Sequence, residues 1–124
     1  MTWIADGLTA LVALLHFYFM YLEMFLWATP KGRKVFGTSE QAARDSKVLA
    51  ANQGLYNGLL GCGLLVSFAL ASPQAAAGIR VFCLAFIVVA GIYGAATVNK
   101  RIFFLQTLPA ALALGLFSVS FFRS

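Results

Sequence analysis

The sequence predicts an all-α fold, a polytopic membrane protein built as a four-transmembrane-helix bundle, on three observations. Of its 124 residues, 61% are hydrophobic and only 10% are charged, against about 25% charged in a typical soluble domain. The mean hydropathy is +0.86. The apolar residues also gather into four runs, each close to the roughly 20 residues that a helix needs to cross a bilayer. A backbone in hydrocarbon must satisfy its own hydrogen bonds, so runs of this kind are helices. The composition excludes intrinsic disorder and a disulfide scaffold, and no polar stretch is long enough for a second, soluble domain. Residues 1–124 are therefore read as one transmembrane domain.

The first helix is expected over about 3–27; Met1 to Gly7 holds no Lys or Arg and includes Asp6, unlike a cleavable signal, so this helix is expected to stay. Thr29-Pro30-Lys31-Gly32 is read as its stop. Residues 28–47 form the one substantial loop, with Lys31, Arg33, Lys34, Arg44 and Lys47 offset by Glu40 and Asp45. Within it, 39–47 is polar enough for a short helix lying at the interface. The second helix is expected over about 48–71, ended by Ser72-Pro73; the third over about 75–98, followed by a polar turn at Asn99-Lys100-Arg101; and the fourth over about 102–122.

Lys and Arg set the orientation. The first and third loops hold the five loop cations plus Lys100 and Arg101, against Arg80 and Arg123 on the other side. The positive-inside rule then places the long first loop in the cytoplasm and both termini outside. A pI near 9.6 follows from that asymmetry. Nucleic acid is not an expected partner, because no folded basic face is available for it; the expected contact is anionic lipid.

Ionisable groups inside spans are costly and mark function more often than loop charges do. The first helix carries His16 and Glu23, seven residues apart and so on one stripe. The second opens with Asn52, Gln53, Tyr56 and Asn57, two pairs at i,i+4 spacing. At about 1.5 Å per residue, Glu23 falls level with Asn52 and Gln53, about 6 to 8 Å inside the cytoplasmic boundary, and His16 level with Asn57, roughly 14 to 17 Å in. Tyr93 and Thr97 near the end of the third span and Gln106 in the fourth add to the cytoplasmic half, while the outer half has almost no polar residues. This one-sidedness points to a polar pocket open to the cytoplasm and against a through-going ion pathway. The candidate ligand-binding residues are His16, Glu23, Asn52, Gln53, Tyr56, Asn57, Tyr93 and Gln106. The plainer reading is that such amides and phenols only bridge neighbouring helices.

One histidine with one glutamate is too few for a metal site from a single chain, and no cofactor is expected. No nucleophile triad and no pair of carboxylates at catalytic spacing is present, so enzymatic activity is left open with the balance against it. Gly54 and Gly58 form a Gly-x-x-x-Gly pair, and Ala90 with Gly94 a second small pair, for close helix contact within the chain or between copies. Cys62 and Cys83 read as small core residues.

Leu15-His16-Phe17-Tyr18-Phe19 with Leu22-Glu23-Met24-Phe25-Leu26-Trp27, then Pro30, Gly32 and Lys34-Val35-Phe36-Gly37, then Asn52-Gln53-Gly54-Leu55-Tyr56-Asn57-Gly58, and finally Gln106 with Pro109-Ala110 resemble the small bacterial membrane family known as domain of unknown function 1304. The resemblance covers nearly the whole chain. It implies a four-helix membrane protein of an uncharacterised family and points to His16, Glu23, Asn52, Gln53, Tyr56 and Asn57 without giving their task. A fainter similarity is to the membrane-associated proteins of eicosanoid and glutathione metabolism, trimers of short four-helix chains. Their second-helix motif Arg-x-x-x-Asn-x-x-Glu meets Val48, Asn52 and Leu55 here, so only the asparagine matches.

The leading expectation is an integral membrane protein, a homo-oligomer, that binds a small amphipathic or cationic ligand in the cytoplasm-facing pocket. A trimeric glutathione-transferase-like enzyme acting on hydrophobic electrophiles is the alternative, and would need Lys47 or Arg101 to stabilise a thiolate. A structural subunit of a membrane complex is the third reading.

Overall fold

A computed structural model describes residues 2–124, and among them every regular element is helical. Five α-helices follow in order: α1 (Thr2–Phe25), α2 (Pro30–Phe36), α3 (Glu40–Ala69), α4 (Pro73–Thr97) and α5 (Leu108–Arg123), with a π-helical turn at Phe103–Thr107 leading into α5. Three helical stretches, Thr2–Phe25, Pro73–Thr97 and Phe103–Arg123, are long and apolar enough to cross a membrane. The length of α3 exceeds all of them, but Asn52, Gln53 and Asn57 dilute its apolar character.

The region expected as a loop is mostly helical. Pro30, read as a stop, instead occupies the first position of α2, where its missing N–H costs nothing. Thr29 caps that helix by accepting from Gly32 N, and Gly37 ends it in the left-handed conformation at φ 66°. The short interfacial helix expected at 39–47 is not separate either. It is the first part of α3, which runs unbroken from Glu40 because nothing between Lys47 and Ala50 breaks a helix.

Two compact units make up the described chain: Leu15–Gly61, and the residues up to Leu14 together with Cys62–Ser124. In the first, α1 and α3 run antiparallel, since Met24 packs at Gly54 and Met20 at Gly58. A Cβ on Gly54 would stand 2.8 Å from Met24 Cγ, and one on Gly58 would overlap Met20 Sδ. The Gly-x-x-x-Gly pair thus serves contact within one chain.

In the second unit, α4 turns Ala77, Arg80, Leu84, Ile87 and Gly91 inward, and α5 turns Ala110 and Ala113 inward. Cys83 is buried as expected; Cys62, also expected in the core, is exposed. Alanines make up about half of the buried apolar residues, beside Leu64, Leu84 and Ile87, while Trp3, Phe82, Phe86, Val89, Phe104 and Phe122 stand on the surface. At most a third of any candidate span is buried. A soluble chain would place its large apolar side chains the other way round.

The π-helical turn ends at a close helix contact. Thr107 Oγ1 occupies the space where Gly91 would carry a Cβ, and it has no conventional hydrogen-bond partner among the described residues. Gly91→Ala is therefore expected to cost about 1 to 3 kcal/mol by overpacking. Gly78→Ala on the same helix meets open space and should be neutral or slightly stabilising by helix propensity. Thermal unfolding of the two variants in detergent checks this, and equal melting temperatures would contradict it.

Candidate functional site

The unit formed by Leu15–Gly61 holds a buried polar pair. Glu23, in the last turn of α1, is only 2% exposed. Its Oε1 accepts a hydrogen bond from Asn57 Nδ2 at 2.5 Å, while Oε2 is buried and has no hydrogen-bond partner among the described residues. Gln53, one turn earlier on α3, brings a second amide near the same carboxylate.

The local packing explains how these groups meet. Gly54 lets α3 approach until a Cβ there would lie 3.0 Å from Glu23 Cβ, so a short asparagine on the next turn can reach the carboxylate. Side chains on a helix lean toward its N-terminus. On antiparallel helices Glu23 and Asn57 therefore lean toward each other, which closes the one-turn offset estimated from depth alone. The depth estimate had Glu23 level with Asn52 and Gln53; Gln53 does lie near the carboxylate, and the hydrogen bond to Oε1 comes from Asn57, one turn further along α3.

His16 lies two turns before Glu23 on the same stripe of α1, buried, with its ring edge-on to Phe19 at 5.6 Å. The other candidates stand apart. Asn52 is exposed, and Tyr56 is 64% exposed. Tyr93, 72% exposed, belongs to the other unit. Gln106 belongs there too, where its Nε2 donates to the Ile87 carbonyl at 3.4 Å and so binds the π-helical turn to α4. Among the described residues, no three His, Cys, Asp or Glu side chains form a metal-binding group.

The second unit contains a charged cluster that the sequence reading missed. Arg80, counted there as an outer-side topology charge, lies inside α4 and is buried. Its Nη1 donates to Asp6 Oδ1 at 2.5 Å and its Nε to Ser67 Oγ at 3.1 Å. The guanidinium carbon sits 4.2 Å from the Phe68 ring centroid and 4.8 Å from that of Phe117. Thr9, one turn along α1 from Asp6, is buried as well and bonds its hydroxyl back to the Ala5 carbonyl. On the expected topology, these residues put charge into the half read as almost without polar residues. A usable signal was present: Arg80 lies inside the third apolar run and Asp6 near the beginning of the first, so each charge fell within an expected span, where a charge needs a partner.

Two comparisons bear on identity. A family model described as "Protein of unknown function (DUF1304)" matches residues 10–118. The uncharacterised protein YpaA of Lactococcus lactis is 39% identical over 116 residues, covering 92% of this chain and 96% of the relative. Neither comparison shows the fainter similarity to proteins of eicosanoid and glutathione metabolism. No solved structure matches the chain at a significant level. The match takes in the Glu23–Asn57 pair and the whole of α2 to α4, and the chain belongs to the DUF1304 family.

Proposed function

We propose that this protein is a multi-pass protein of the bacterial inner membrane that binds a small amphipathic molecule through a cationic or hydrogen-bond-donating head. In this reading α3 crosses alongside the three apolar helices, residues 28–47 face the cytoplasm and both termini lie outside. Support for the membrane comes from the large apolar side chains that stand on the surface and from the seven-to-two bias of Lys and Arg.

The observation that carries the ligand is Glu23 itself. A carboxylate 98% removed from solvent, with one oxygen held by Asn57 and the other without a hydrogen-bond partner, is an acceptor that a donor head would satisfy at the rim of an apolar helix pair. Dodecylamine and dodecanol provide matched probes with the same tail. Dodecylamine, whose ammonium adds charge to its hydrogen bond, is expected to raise the melting temperature of the detergent-solubilised chain by several degrees, and dodecanol, a neutral donor, to raise it clearly less. Glu23→Gln should abolish the amine response. An equal amine response in both chains would overturn the assignment and leave the pair as a helix bridge.

A further inference from the structure

The end of α1, α2 and the start of α3 form a cationic elbow that the ligand reading does not use. Its geometry is fixed by several contacts. The Trp27 and Phe36 rings pack at 4.8 Å, and Trp27 Nε1 donates to Ser46 Oγ at 3.0 Å. Thr29 Oγ1 donates to the Leu26 carbonyl at 2.6 Å while capping α2. Gly32 lies so close to the Leu26 and Trp27 carbonyls that a Cβ would overlap the first of them.

The charges on this rigid elbow are not balanced internally. Glu40 is occupied by Arg44 at 3.4 Å, and Asp45 accepts from Gln41 at 2.9 Å. No ion pair is formed by Lys31, Lys34 or Lys47 among the described residues, and all three are exposed. Arg33 is half-buried, and its Nε is buried without a hydrogen-bond partner among the described residues. Val35, Val48 and Leu49, next to Lys34 and Lys47 in the chain, are exposed as well, so the elbow offers apolar side chains beside positive charge.

We infer that this elbow docks the phosphodiester headgroup of an anionic phospholipid, with the lysines and the Arg33 guanidinium on the phosphate and Val35, Val48 and Leu49 against the acyl chains. The inference rests on the membrane reading above. It goes beyond orientation by charge, because it assigns a built site with a preference among lipids.

The test uses the full chain in neutral detergent. Phosphatidylglycerol is expected to bind, as read by native mass spectrometry, and to raise the melting temperature; phosphatidylcholine and inorganic phosphate are not. The triple variant Lys31→Gln/Lys34→Gln/Lys47→Gln should lose affinity for phosphatidylglycerol by about a hundredfold, at roughly fivefold per exposed charge, with its basal melting temperature unchanged. In the wild-type chain alone, about 1 M salt, where the Debye length is about 3 Å, should erase most of the lipid preference.

Equal binding of the two phospholipids, full retention of affinity in the triple variant, or an equal response to inorganic phosphate would each overturn the lipid assignment. Alkaline carbonate extraction separates the two readings: a chain released from membranes fails the membrane reading, whereas one that stays but shows no preference for phosphatidylglycerol fails this inference alone.

Discussion

Replacing Asp6 with leucine is expected to destabilise the chain by about 3 kcal/mol, the low end of the cost of stripping a buried charge of its partner. Arg80→Met should cost only about 1 kcal/mol. The asymmetry follows from exposure: the Arg80 side chain is 6% accessible and that of Asp6 is 47%. Without Asp6 the guanidinium keeps Ser67 and the two flanking rings but has no anion to offset its burial. Without Arg80 the carboxylate can turn to solvent. Methionine keeps an unbranched stem and a polarisable sulfur between Phe68 and Phe117, which replaces part of the lost cation–π attraction. The double variant Asp6→Leu/Arg80→Met should recover most of the stability, because an ion pair replaced by apolar groups is often neutral. Denaturant titration in detergent measures all three. A cost for Arg80→Met equal to or above that for Asp6→Leu would contradict this account.

The helical class and the extents of α1 and α4 were legible in the sequence because hydropathy over some 20 residues reports them directly; each observed end lies within two residues of expectation. Pro30 was not, since proline both stops a helix and starts one, and only the cap at Thr29 decides between them. The π-helical turn ends where Gly91 meets Thr107, sixteen residues apart, and no local pattern encodes that contact.

Glu23 was legible as a buried acid because its cost is intrinsic to its position. Its partners were legible only to within a turn, because the depth estimate treated side chains as points on the helix axis: Gln53, placed level with it, does lie near the carboxylate, while Asn57 makes the bond to Oε1. The lean of Glu23 and Asn57 toward their own N-termini shifts the pairing by one turn. Arg80 was missed for a related reason: it was assigned to a loop by counting charges on each side, although its position lay inside the third apolar run.

The Glu23–Asn57 pair gives the most informative stability experiment. Asn57→Leu is expected to cost about 2 to 3 kcal/mol, since it leaves both carboxyl oxygens of a 2% exposed glutamate without a hydrogen-bond partner. Glu23→Gln should cost about 1 to 2 kcal/mol: its carbonyl oxygen can still accept from Asn57, and the penalty is a buried amide NH2 without an acceptor. Glu23→Leu/Asn57→Leu should be close to neutral, because it removes both polar groups together. Unfolding in mixed detergent with increasing dodecyl sulfate resolves the cycle, and a loss of under about 0.5 kcal/mol for Asn57→Leu would contradict burial of the pair. The cycle also separates structure from function. If the double leucine variant is as stable as the wild-type chain but no longer responds to dodecylamine, the pair adds nothing to folding that leucines could not supply. Its presence in the protein is then accounted for by what the carboxylate binds.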